Sequence, residues 1–244
     1  MARPQHFEIP PNEVQRCALL LPALNFISQK SDDPPIALVD IGSAGGLNLL
    51  MDKAYIKYSD GIFFGSPNSP LQLHCESQGK KIPSFNDLQI VNRIGIDLNP
   101  VIFLDDDERQ WNLALIWPDQ PARFERVKSA LQLLKETTII FKKGNANHIL
   151  SKVIAEIPAN QMICVMHSFV LNQFSEADRK DFEIVLADLS KIRTIWRISL
   201  EWIGTENPEL FVERYHLGMK SQVQKLAECH GHGAWIKWTK AASS

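Results

Sequence analysis

Apolar and polar positions fall into two rhythms along this chain, one of strands and one of helices. The clearest unit runs Ile36-Ala37-Leu38-Val39-Asp40-Ile41, then Gly42-Ser43-Ala44-Gly45-Gly46, then Leu47-Asn48-Leu49-Leu50. A nearly continuous apolar run predicts a strand buried on both faces of a parallel sheet. The glycines predict a sharp turn open to a ligand, and the leucines predict a helix whose free N–H groups point back at it. Ahead of this unit, Val14, Cys17, Ala18, Leu21, Leu24 and Ile27 recur at helical spacing, with Asn12 as a cap and Pro22 as a kink or break.

Residues 55–92 predict short strands (Tyr55-Ile56-Lys57-Tyr58, Ile62-Phe63-Phe64, and Leu71 to Cys75) separated by turns such as Ser59-Asp60-Gly61. They read as β-hairpins inserted after the first strand-helix unit, placed to act as a lid. Strand patterns resume at Arg93 to Asp97, Thr137 to Phe141, Met162 to Met166 and Thr194 to Leu200. Helical patterns cover about 105–116, 121–134, 149–154, 175–189 (capped by Ser175) and 221–229, and further strands cover about 211–216 and 234–239. Alternating strand and helix from residue 36 onward predicts an α/β fold: a Rossmann-like doubly wound sheet of the class I methyltransferase type, in one domain over 1–244.

Composition narrows the class. The chain has 244 residues, 45% of them hydrophobic and 22% charged, with a formal charge of -2. That balance speaks against a broadly basic nucleic-acid surface. No apolar run approaches the ~18 residues that would cross a bilayer. Cys17, Cys75, Cys164 and Cys229 are scattered, as for buried or free thiols in a reducing cytoplasm.

The glycine turn sets the chemistry. The dinucleotide pattern G-x-G-x-x-G fails, because Ala44 and Leu47 stand where glycines are required, and no phosphate loop is present. Asp40-Ile41-Gly42-Ser43-Ala44-Gly45 better fits a turn cradling S-adenosylmethionine. The acid at the end of the next strand, Asp97, would then take the ribose hydroxyls. Asp97 follows Gly42 at far more than the ~20 positions of a compact unit, so this reading requires residues 55–92 to form an insertion.

At these residues the sequence resembles the bacterial domain-of-unknown-function family 2332. The resemblance is carried by Asn12 to Arg16 with Leu20 to Leu24, Asp40 to Leu49, Arg93 to Pro100, and Ile116 to Gln120 with Arg123. His167-Ser168, Ser199 to Trp202 and His232 to Trp235 complete the set. The resemblance implies a methyltransferase-like fold and brings neither a substrate nor an assigned catalytic residue. Gly45-Gly46 departs from the family's serine-alanine-glycine ordering.

The cofactor-binding set is Asp40, Gly42, Ser43, Ala44, Gly45, Asp97, Leu98, Asn145, Ala146, His167 and Ser168. Asp97 otherwise caps a helix after Pro100, and Asn145 either meets the adenine amine or closes an Asx turn. His167 is the candidate base and Glu201 the candidate for orienting an acceptor; a structural histidine and a surface carboxylate are the alternatives. Asp105-Asp106-Asp107-Glu108 reads as helix capping, and His230-Gly231-His232 beside Cys229 as a turn, so no metal is expected. Trp117, Trp235 and Trp238 read as core. The expected activity is methyl transfer from S-adenosylmethionine to a small-molecule acceptor, with no nucleic-acid or membrane partner. The alternatives are a non-catalytic binder of an adenosyl ligand or a protein partner, and a nicotinamide-dependent oxidoreductase.

Overall fold

The computed structural model describes residues 13–31, 34–103, 109–110 and 113–239. Asn12 and Asp105 to Glu108, with the cap expected at each, lie outside them. The fold is mixed α/β, built on an 11-stranded sheet flanked by helices.

Strand β1 (Ile36–Ile41) lies at the centre of a parallel block, between β5 (Ile90–Asp97) and β7 (Met162–Ser168). Strand β6 (Ile140–Lys143) extends the block beyond β5, and β8 (Ile195–Glu201) beyond β7. Every residue of β1 is buried, as the continuous apolar run predicts. Alternate side chains enter opposite layers. Ile36 and Leu38 pack with α1 (Cys17–Gln29) and α2 (Pro121–Leu134), whereas Ala37, Val39 and Ile41 pack with α3 (Ala146–Ala155) and α4 (Glu176–Leu189).

The helix starts follow local chemistry. Pro121 opens α2, where its missing N–H costs nothing. Asn145 caps α3 by accepting the Asn147 N–H, and Ser175 and Asp178 form a reciprocal capping box on α4.

Beyond β8 the sheet turns antiparallel through β9 (Glu209–His216), β10 (Met219–Cys229) and β11 (Trp235–Trp238). The helix expected over 221–229 is therefore a strand. Register shifts at Lys220/Gln222 and Lys225/Ala227 mark bulges, and the second sends neighbouring Leu226 and Ala227 both inward. A bulge breaks the two-residue rhythm and imitates helical spacing.

Residues 55–92 form the expected strands in an unexpected place. Strands β2 (Tyr55–Tyr58) and β3 (Phe63–Phe64) are an antiparallel pair, and β4 (Gln72–Gly79) runs parallel to β2. The second half of β4 then pairs in parallel with β11, joining this segment to the far edge of the main sheet. Ile56, Tyr58, Leu71, Leu73 and Cys75 are buried in the core beside α1. The segment is a wall of the core, which replaces the lid expectation.

This wall explains why α1 is buried on all sides from Cys17 to Ser28. The helix touches β4, β8, β9 and the 3-10 segment Leu47–Lys53. Pro22 neither breaks it nor leaves a buried carbonyl orphaned. Proline has no N–H to give the carbonyl four residues back, and the Tyr58 hydroxyl donates to that Ala18 oxygen at 2.7 Å. All four cysteines are buried free thiols. Among the described residues, no helix is long and apolar enough to cross a membrane.

Candidate functional site at the carboxyl ends of the parallel strands

Strands β5 and β6 lie on one side of β1, and β7 and β8 on the other, so the strand order reverses between β1 and β7. Open α/β sheets place ligands outside the strand ends at such a reversal. Gly42 to Gly46 leave β1 there.

The turn is held by main-chain bonds. Gly42 and Ser43 donate N–H to the Ile96 carbonyl at 2.8 and 3.2 Å. Ala44 donates its N–H to Asp97 Oδ2 at 2.8 Å, and its carbonyl accepts the Val101 N–H at 3.0 Å. Asp97 Oδ1 accepts the Asn99 N–H at 2.8 Å. The turn and Asp97, expected to face each other across a cavity shaped for an adenosyl group, are instead in direct contact. Asp97 caps the glycine turn and its own Asx turn.

Neighbouring side chains press on the turn. A Cβ on Gly45 would lie 2.2 Å from the Phe103 ring, and one on Gly42, at φ +68°, would lie 2.5 Å from Val170. Leu47–Lys53 is a seven-residue 3-10 segment entered through left-handed Gly46, in place of the expected α-helix. Its three-residue turn sets Leu47 and Leu50 on one side, and both are buried before the chain extends at Ala54 into β2. The turn therefore has no α-helix N-terminus behind it.

The other expected binding residues scatter around this turn. Ser43 Oγ is sealed from solvent with no hydrogen-bond partner, near Gly95. Leu98 is 63% exposed, Asn145 and Ala146 open α3, and Ser168 ends β7 half-buried. Asp40 is buried, and burial, with the Asp97 charge, pushes its carboxyl well above the usual range against the pull of Arg16. Trp238 is buried as expected, but Trp117 is 67% exposed. Among the described residues, no group of three His, Cys, Asp or Glu is placed to hold a metal.

His167 is fully buried with both ring nitrogens engaged. Arg197 donates Nε–H to His167 Nε2 at 2.9 Å; since arginine can only donate, the ring proton sits on Nδ1 and points at Glu201 Oε1, 2.6 Å away. Burial and the Arg197 charge lower the His167 pKa despite Glu201, so the imidazole stays neutral. This arrangement leaves neither ring nitrogen free for an acceptor and fits the structural one of the two sequence readings of His167, in which it orients Glu201. Glu201 is buried rather than on the surface, and it also accepts the Val170 N–H at 3.0 Å. Burial raises its carboxyl, but the bonds from His167 and the Val170 and Leu171 amides outweigh it and hold the pKa down.

Behind His167 the network continues. Arg197 reaches Glu183, Glu213 Oε2 at 2.8 Å and the Tyr215 hydroxyl at 3.1 Å. Lys220 bridges Glu183 and Glu213 at 2.6 and 3.1 Å. Burial pushes Glu183 up, but the Arg197 charge and hydrogen bonds from Lys220, Tyr215 and Arg197 hold it at about 2.

A second cluster stands on the α1 side of the same strand ends. Glu13 is buried at the head of the 3-10 turn Val14–Arg16, where Oε1 accepts the Gln15 N–H at 3.2 Å. Arg123 Nε and Arg126 Nη2, one helical turn apart on α2, lie 3.5 and 3.7 Å from its oxygens, and His232 Nδ1 lies at 3.8 Å. Arg16 is 5% exposed; its Nε donates to the Gly231 carbonyl at 3.0 Å and its guanidinium lies 4.2 Å above the Phe169 ring. Phe169 holds a left-handed φ of 58° at the end of β7. Sequence reading met Glu13, Arg16 and Arg123 only as family motifs, and His232 also as part of a turn. The missed signal is ionic residues set into apolar runs, Glu13 and Arg16 ahead of α1 and Arg197 inside β8.

The family model described as an uncharacterized protein conserved in bacteria (DUF2332) matches residues 5–238. No curated protein and no solved structure gives a match.

Proposed function

The chain belongs to the DUF2332 family, and from its geometry we propose that it is an adenosyl-binding enzyme of the Rossmann-like class I methyltransferase type, using S-adenosylmethionine on a small-molecule acceptor. The contact between Asp97 and the Ala44 amide carries this reading, because it brings an acid at the end of the second parallel strand against a glycine turn at the end of the first. The donor set suits an adenosyl group. Asp97 would turn a carboxylate oxygen to the ribose hydroxyls, Ser43 has an unpartnered hydroxyl, and Asp40 lies beside them. Binding requires the Phe103 ring to withdraw from Gly45. The sulfonium supplies an already activated methyl group, so positioning by the chain provides most of the rate. Acceptors that need no base suit this site, since His167 is locked by Arg197 and Glu201.

The same locked histidine favours one alternative, a fold that retains the adenosyl ligand, or binds a protein partner, without transfer. Thermal unfolding with S-adenosylmethionine tests the binding step. At about a hundredfold over Kd a ligand adds ~2.7 kcal/mol, a shift of roughly 5–11 °C for a domain of this size. Asp97→Ala should abolish the ligand-induced shift while Glu176→Ala, on the exposed start of α4, keeps it. No shift in the unmodified protein rejects the reading. Incubation with methyl-labelled cofactor and cell extract then separates enzyme from binder, since a binder labels nothing.

A further inference from the structure

Arg16 is nearly buried, yet among the described residues no carboxylate oxygen comes within 4.0 Å of its guanidinium. Its Nε is spent on the Gly231 carbonyl, and its two terminal nitrogens have no partner among the described residues and are not sealed from solvent. Burying a guanidinium with no carboxylate in contact is costly, so an arrangement that does so calls for an anion from outside.

Arg123 and Arg126 on α2 add two partly exposed guanidinium groups that do meet a carboxylate, Glu13, and Arg123 Nη1 donates to Gln120 Oε1 at 3.2 Å. Their Nε atoms are sealed without hydrogen bonds, and their ion pairs to Glu13 are longer than hydrogen bonds. Glu13 is one carboxylate facing three guanidinium groups. The other nearby acids do not make up the difference. Glu201 adds one more negative charge near Arg16, which still leaves two carboxylates against three guanidinium groups, and the buried Asp40 is driven toward its neutral form. The Phe169 ring backs Arg16 and the Gly231-His232 turn closes one side.

We propose that Arg16, Arg123 and Arg126 bind the oxyanion, carboxylate or phosphate, of a small-molecule ligand, with Glu13 holding the Arg123 and Arg126 guanidinium groups in place. Planar forked donors suit both groups. This inference does not depend on the adenosyl reading; should that reading hold, the anion belongs to the molecule lying across the strand ends from the glycine turn.

Thermal unfolding of the full chain with inorganic phosphate in one arm and succinate in the other tests it. Phosphate stabilises many proteins without a site, so the readout is the shift in each variant against the shift in the unmodified protein. A rise of roughly 5 °C or more is expected in at least one arm at saturating ligand. The arm that responds names the oxyanion. Arg123→Gln/Arg126→Gln, at partly exposed positions, should lose most of the rise, and Arg16→Lys should lose part of it. Arg16→Gln is the stronger change but risks folding.

Arg214→Gln is the control. Arg214 lines a separate cavity of about 750 Å³ with Lys30 and Arg193 at the opposite ends of the strands. Loss of the shift in Arg214→Gln with retention in Arg123→Gln/Arg126→Gln overturns the assignment, as does an equal shift in every variant or none in the unmodified protein. Failure of S-adenosylmethionine to bind leaves these outcomes untouched.

Discussion

The Tyr58 hydroxyl donates to the Ala18 carbonyl at 2.7 Å, filling the vacancy that Pro22 creates four residues further along α1. A proline inside a buried helix is thereby answered by a strand from residues 55–92. Tyr58→Phe removes the donor and leaves the carbonyl unsatisfied, at a cost of about 1–3 kcal/mol. In a Pro22→Ala background the helix regains its own N–H, and the same substitution should cost measurably less. Urea unfolding of the four proteins in this cycle reads the coupling; equal costs in both backgrounds would mean that the hydroxyl is not replacing the proline's missing donor.

Arg197 is the hub joining α4 to β7, β8 and β9. Arg197→Met leaves Glu213 buried without its main cation and His167 Nε2 without a donor. Loss of one member of a buried ionic network costs about 3–5 kcal/mol. Lys220→Met should cost far less, since Lys220 is 30% exposed. Denaturant midpoints with unchanged slopes check both values, and similar losses would show that burial is not what sets the cost.

Acid should weaken the fold in two steps. His167 has a folded pKa below its unfolded value of about 6.5, so the unfolded chain binds the extra proton and stability falls as pH drops below that value. Glu183, held at about 2, contributes stability above the unfolded carboxylate range and loses it as pH falls toward 2. Asp40 acts in the opposite sense, because its raised pKa favours folding at low pH and loses that contribution as pH rises through the folded value. Urea midpoints followed from pH 8 to 4 should therefore decline less between pH 6.5 and 5 in His167→Gln than in the unmodified protein. A steeper decline in the variant reverses the sign and rejects the neutral-histidine assignment.

Gly45 and Phe103 compete for one space. Gly45→Ala drives a methyl into the ring and should cost about 1–3 kcal/mol, and Phe103→Ala in the same chain should recover part of that cost. If the ring also occupies ligand space, Phe103→Ala alone binds S-adenosylmethionine more tightly by calorimetry. Unchanged or weaker affinity would place the ligand elsewhere.

Local rules made much of this readable in advance. The continuous apolar run of β1, the proline start of α2 and the Ser175 cap each depend on a few neighbouring residues, and each stands where the pattern put it. The strand β10 escaped a local reading because its bulges each add a residue, Ser221 and Leu226, that breaks the two-residue rhythm. The placement of residues 55–92 depends on β11, far along the chain, and no local signal specifies it. At the site, the juxtaposition of Asp97 and Ala44 followed from strand ends, whereas the arginine cluster depends on three segments that meet only after folding.

The pairing of β4 with β11 also orders events during synthesis. Until residues 235–238 emerge, the second half of β4 has an open edge and one flank of a helix that the finished fold buries on all sides is unguarded. Helix α1, made well ahead of β11, is thus enclosed late. A nascent chain of this kind is a target for chaperones that hold exposed hydrophobic segments, and stalled or shortened versions are prone to aggregate through that same helix.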